Sequence, residues 1–131
     1  MPKHTPANVV VKRGLAGLGL FANEDIKKDS FIIEYTGELI SGDEADRRGG
    51  KYLFEINSKW TIDGKNRDNI ARYINHSCRP NSESDVIGKK VKFFAKRSIK
   101  QGEEITVDYG KEYFGEHIAP YGCKCEKCRK I

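Results

Sequence analysis

The sequence predicts a mainly β protein built from many short strands, with few and short helices. Three observations carry this. Apolar runs rich in Val, Ile, Phe and Tyr recur every ten to fifteen residues or so. Gly and Asp-containing turns separate them. No stretch sustains the period of 3.6 that a long amphipathic helix needs.

The elements follow in order. Val9 to Lys12 reads as an opening strand, followed by a glycine-punctuated turn at Gly14, Gly17 and Gly19. Leu20-Phe21-Ala22 and Phe31 to Tyr35 are strands, with Asp29 in the turn between them. Ser41 and Glu44 have capping-box spacing and open a short helix that Gly49-Gly50 stops. Tyr52 to Ile56 and Trp60 to Asp63 are two more strands, and Asn69 to Ile74 forms a helical turn. Val91 to Ala95 and Ile105 to Tyr109 complete the set, with Gly102 in the intervening turn. From Tyr121 onward the composition shifts to Gly, Cys, Lys and Glu, a small appended segment.

The chain has 131 residues, enough for one domain with a modest core. Hydrophobic residues at 37% and a mean hydropathy of −0.67 describe a globular chain and exclude a disordered one. No apolar run approaches the ~20 residues of a membrane span, and Met1 to Pro6 lacks the apolar core of a secretory signal. The expectation is an intracellular protein with no membrane partner. The net charge of +5 comes from lysines dispersed singly and in pairs, so direct nucleic-acid readout is not expected. The sequence leaves an oligomer open.

Three cysteines fall within Cys123-Lys-Cys125-Glu-Lys-Cys128, and the fourth is Cys78. Thiols this close cannot all bridge one another without strain. Four thiolates suit a tetrahedral zinc; a Cys78 disulfide to the tail and plain surface thiols are the alternatives that spacing leaves open. A zinc site would dock the tail beside the Asn75-His76-Ser77-Cys78 loop.

Five segments together resemble the SET-domain protein lysine methyltransferases, over roughly residues 9 to 128. They are Gly17-Leu18-Gly19-Leu20; Glu34-Tyr35-Thr36-Gly37-Glu38; Arg72-Tyr73-Ile74-Asn75-His76-Ser77-Cys78-Arg79-Pro80-Asn81; Gly102-Glu-Glu-Ile-Thr-Val-Asp-Tyr109; and the cysteine tail. The third is similar to the family's R-F-I-N-H-S-C-x-P-N signature, with Tyr for Phe at position 73. The tail departs in having two residues, where four are commoner, before its last cysteine.

The resemblance implies a SET domain over 1–118, with an insert at about 40–69, and a post-SET zinc segment over 119–131. It implies several small curved sheets, with the Asn75–Asn81 segment threading beneath Ile105–Tyr109 as a pseudoknot. It implies S-adenosylmethionine as methyl donor, held by Gly17, Leu18, Gly19, Arg72, Tyr73, Asn75, His76 and Tyr109. Tyr109 is the implied catalytic residue, and Tyr52, Val107, Tyr113 and Phe114 the walls of a channel for the substrate lysine. For any of these tyrosines ordinary core packing is the competing reading, and a general-base role for His76 is disfavoured. Zinc is implied on Cys78, Cys123, Cys125 and Cys128. Arg72 and Asp108 are candidates to pair across the knot. The implied substrate is a lysine in a histone tail or another basic protein, and a histone substrate would imply a nuclear, or host nuclear, location. A non-catalytic SET-like binding module is the alternative; the intact Asn75 and Tyr109 argue against it.

Overall fold

The computed structural model describes residues 6–14, 17–50 and 52–108. Ten strands, β1 (Val9–Gly14), β2 (Gly17–Ala22), β3 (Phe31–Tyr35), β4 (Glu38–Ser41), β5 (Leu53–Glu55), β6 (Trp60–Asp63), β7 (Asn75–His76), β8 (Ser82–Ile87), β9 (Lys90–Ala95) and β10 (Glu104–Val107), account for most of the regular structure. One helix, α1 (Gly42–Arg48), and a 3-10 turn at Ile70–Tyr73 complete it among the described residues. The strands form three small sheets, ordered β1-β2-β10-β7, β3-β9-β8 and β4-β6-β5.

The β-branched start of β1 pairs antiparallel with β2, so Gly14 and Gly17 lie opposite each other as paired strand ends. The glycine-rich segment is therefore largely strand, not turn. A side chain at Gly14 would collide with the Phe21 ring, which explains glycine there. Ser41 caps α1, its hydroxyl accepting the Glu44 N–H at 3.1 Å, and Gly49 ends the helix at φ 62°. The capping box is half-formed, because the Glu44 carboxylate turns to Arg47 and Arg48. Asp29, expected in a turn, adopts φ 70° there.

Leu20, Ile32, Val91, Ile99 and Ile105 are fully buried and knit the first two sheets into one core, which Tyr35, Ile62 and Ile74 extend. Each such aliphatic side chain contributes roughly 2 kcal/mol of transfer free energy. Tyr35, Phe54 and Phe93 continue the core in tilted and edge-on contacts, which ties the β4-β6-β5 sheet to the others. No helix of the described residues is long and apolar enough to cross a membrane.

Candidate active site

Residues far apart in sequence meet at β7. Asn75 and His76 pair in parallel with Thr106 and Val107 of β10, and the Ser77 N–H continues the ladder to the Val107 carbonyl at 3.0 Å. The next turn leans on the same strand. Asn81 donates through Nδ2 to the Glu104 carbonyl at 2.8 Å and accepts the Thr106 N–H on Oδ1 at 2.9 Å. The Ser82 hydroxyl donates to the Thr106 carbonyl at 2.6 Å. Segment 75–82 is thus fastened along β10, the adjacency expected of the two motifs.

The β2 edge completes the site. Asn75 Nδ2 donates to the Leu18 carbonyl at 3.0 Å and to Glu104 Oε2 at 2.8 Å. A Cβ on Gly19 would run into that Glu104 carboxylate, so only bare backbone fits. Gly17 and Leu18 are exposed beside it. Backbone at Leu18, the Asn75 amide and the Glu104 carboxylate thus meet at one place, bringing donor and acceptor groups together. Glu104 was not among the residues singled out from sequence, although it lies inside the fourth motif.

The 3-10 turn carries Arg72 and Tyr73. The Arg72 guanidinium lies over the Tyr52 ring at 4.6 Å and the Tyr73 ring at 4.8 Å. It donates to the Lys65 carbonyl and, at 3.0 Å, to the Tyr73 hydroxyl, while its Nε is buried with no hydrogen-bond partner among the described residues. Arg72 therefore sits on Tyr52, and the expected Arg72–Asp108 pair does not form: Asp108 faces His76 Nδ1 at 3.8 Å. Tyr52, just ahead of β5, is fixed through its carbonyl, which accepts the Tyr35 hydroxyl at 2.6 Å and the Gly64 N–H at 2.8 Å.

Burial pushes the His76 imidazole below its usual range, against the opposing pull of the Asp108 carboxylate. Cys78 is half-buried, with Sγ 3.5 Å from His76 Nε2. Among the described residues no three His, Cys, Asp or Glu side chains are grouped to hold a metal. Val107 is buried at the end of β10. Tyr109, Tyr113, Phe114, Cys123, Cys125 and Cys128 lie outside the described residues.

Small sheets joined by a parallel two-residue strand, with a glycine edge and an Asn-His strand side by side, define a class, and the comparisons identify it. The SET domain family matches residues 17–110, and this chain belongs to it. The chain is 40% identical over 92% of its length to "Histone-lysine N-methyltransferase trithorax" of Drosophila virilis, of which it covers 3%. It is 37% identical over 94% of its length to human "Histone-lysine N-methyltransferase 2D", covering 2% of that protein. It is 38% identical over 95% of its length to an H3 lysine-36 specific histone-lysine N-methyltransferase of Debaryomyces hansenii, covering 19%. Two solved structures share the fold over 81% of the chain. A humanized mutant of Chaetomium thermophilum Polycomb Repressive Complex 2 bound to the inhibitor GSK126 has TM-score 0.72 and 39% identity, and apo ctPRC2 in an autoinhibited state has 0.74 and 36%. The chain covers 15% and 16% of those chains.

Proposed function

We propose that this SET domain is an S-adenosylmethionine-dependent protein lysine N-methyltransferase acting on a histone tail or another basic protein. The observation that carries the reading is the meeting of Leu18, Asn75 and Glu104 beside the β7–β10 pair, two residues upstream of Tyr109. When bound, the cofactor supplies an electrophilic methyl group on a sulfonium. Gly17, Leu18, Gly19, Asn75 and His76 would hold it, through backbone groups and the Asn75 amide; Arg72 and Tyr73 would close the site from the 3-10 turn.

The protein's own task is positioning, since a lysine amine must be held in line with the methyl carbon at near-attack distance. Tyr109 is the proposed catalytic residue, its hydroxyl directed at the target nitrogen. Tyr52, Val107, Tyr113 and Phe114 are the proposed walls of the lysine channel. A free lysine amine has a pKa near 10.4, and an apolar channel favours its neutral, nucleophilic form. The Arg72 cation stacked on Tyr52 acts in the same direction. No dedicated base is then required, and none is assigned to His76. Val107 is small for a residue walling this channel, which leaves room for more than one methyl.

Cys78 with Cys123, Cys125 and Cys128 would hold a structural zinc, making 119–131 a post-SET segment. The His76 nitrogen at 3.5 Å from Cys78 Sγ suits a thiolate, to which a ring N–H can donate. One zinc per chain by metal analysis is the expected result. A histone substrate would place the protein in a nucleus.

The test is transfer of label from radiolabelled S-adenosylmethionine to mixed core histones, beside a Tyr109→Phe variant. Label that collapses in the variant supports the class and the tyrosine together, and mass spectrometry of the product gives the methyl count. A protein that fails to bind the cofactor refutes the reading.

A further inference from the structure

The Asn75 amide is fixed in one orientation. Both groups it faces, the Leu18 carbonyl at 3.0 Å and the Glu104 carboxylate at 2.8 Å, act as acceptors, so the NH2 end must point at them. The two bonds together set the plane of the amide as well as its sense. Oδ1 lies on the other side, and among the described residues nothing donates to it. Asn75 therefore offers a ligand an acceptor, not a donor.

The surroundings of Glu104 keep its carboxylate on that amide. β10 pairs Glu104 with Phe21 of β2, and its carbonyl accepts the Asn81 amide at 2.8 Å, so the side chain starts from anchored backbone. The carboxylate occupies room that two glycines leave open: a Cβ on Gly19 would strike Oε2, and one on Gly14 would lie 3.3 Å from Oε1. Among the described residues it forms no ion pair, so no cation draws it away from Asn75. Without Glu104 the amide would keep the single bond to Leu18 and could turn about it.

We propose that Glu104 is a positioning residue for cofactor binding: through its hydrogen bond, and not through its charge, it locks Asn75 with Oδ1 offered to the cofactor, which presents an N–H donor there. This rests on the proposed function, in which the Asn75 amide holds S-adenosylmethionine. That molecule carries such donors in its ammonium and its adenine amino group. Glu104 itself touches neither cofactor nor substrate in this role; it acts through Asn75.

Two conservative substitutions separate reach from charge. Glu104→Gln keeps an acceptor at the same distance and loses the charge; Glu104→Asp keeps the charge on a stem too short to reach Asn75. Affinity for S-adenosylmethionine is measured by calorimetry, with folding of each protein checked by thermal melting. Glu104→Gln is expected to stay within about twofold of wild type and Glu104→Asp to bind about tenfold more weakly, the scale of one lost hydrogen bond. In an Asn75→Ala background the same two substitutions should make no further difference, because the effect passes through that amide. A loss in Glu104→Gln that equals or exceeds that in Glu104→Asp overturns the positioning role, as does equal affinity in all three proteins or a Glu104→Asp loss that persists without Asn75. Each of these leaves the methyltransferase reading standing. Wild type that binds no cofactor overturns that reading and the positioning role with it.

Discussion

Asn81→Ala tests how the site is held together. The Asn81 side chain is 3% exposed and behaves as a peptide group inserted between strands, giving one N–H to the Glu104 carbonyl and accepting one from Thr106. Alanine removes both bonds and leaves a carbonyl and an N–H without these partners in a space a methyl group does not fill. Leaving a buried polar group unsatisfied costs about 1–3 kcal/mol, so the pair sums to roughly 3 kcal/mol, the carbonyl being the cheaper of the two. For a domain of this size that corresponds to a fall in Tm of about 12 °C. The backbone bond from Asn81 N to Thr106 Oγ1 at 3.3 Å and the Ser82 bond survive, so folding itself is retained. Asn81→Asp keeps the acceptor for Thr106, loses the donor and turns a carboxylate towards the Glu104 carbonyl; its loss should equal or exceed that of alanine. Thermal melts by circular dichroism, with exposed Ser84→Ala as control, give the comparison. A shift below about 3 °C for Asn81→Ala would refute the reasoning, because it would mean that water replaces the amide at no cost.

Two further outcomes are expected. Arg72→Lys keeps the charge but cannot reach the Lys65 carbonyl and the Tyr73 hydroxyl while lying flat on Tyr52; kcat/KM should fall about tenfold to a hundredfold together with cofactor affinity, and an affinity unchanged by calorimetry would remove Arg72 from the proposed cofactor site. The Arg48 hydrogen bond holds the Glu44 carboxyl below its usual value of 4.5, so Glu44 favours folding above that value and the contribution fades as pH falls through the lowered one. Carboxyl-carbon NMR titration should show the lowered midpoint return to normal in Arg48→Gln, and salt should weaken the effect.

Much of this was readable in the chain. Ser41 and Gly49-Gly50 delimit α1 because capping and positive φ are local chemistry, and the apolar runs of β3, β6 and β9 have high β-propensity. Three strands were not foreseen. β8, Ser82-Glu-Ser-Asp-Val-Ile, is mostly polar and, after the buried Ser82, exposed, as an edge strand of its sheet; β9 and the Gly88 turn, at φ 65°, create it. β4 carries no apolar alternation beyond Ile40, and it pairs through β6. β7 is two residues long and exists only because β10 lies beside it. The motif residues Asn75 and His76 were legible as a site, yet Glu104 was not, since its role arises from the close approach of Gly19 and Asn75, which lie far earlier in the chain. Arg48 shows the same limit: its three carboxylates come from β4, α1 and β6.

Strands of two to six residues cannot build a rigid framework from ladder bonds alone, because each leaves backbone groups unpaired where the chain passes from one sheet to another. Asparagines occupy those crossings. Asn69, 2% exposed, accepts the Thr36 N–H at 3.0 Å and donates to the Gly64 carbonyl at 3.1 Å, joining the end of β3 to the turn after β6. Asn81 does the same between β8 and β10, and Asn75 between β2 and β10. An asparagine amide carries a peptide's donor and acceptor on a short stem, so it closes a gap that no neighbouring strand can reach. Gly37 and Gly64 flank the first crossing, where a Cβ would strike the Asp63 carbonyl or the Tyr35 ring, so the chains approach there as closely as backbone allows. Methyl transfer depends on fixing two reactants to a fraction of an ångström. In the proposed reaction that precision would rest on a few asparagine amides at sheet crossings rather than on extended sheets.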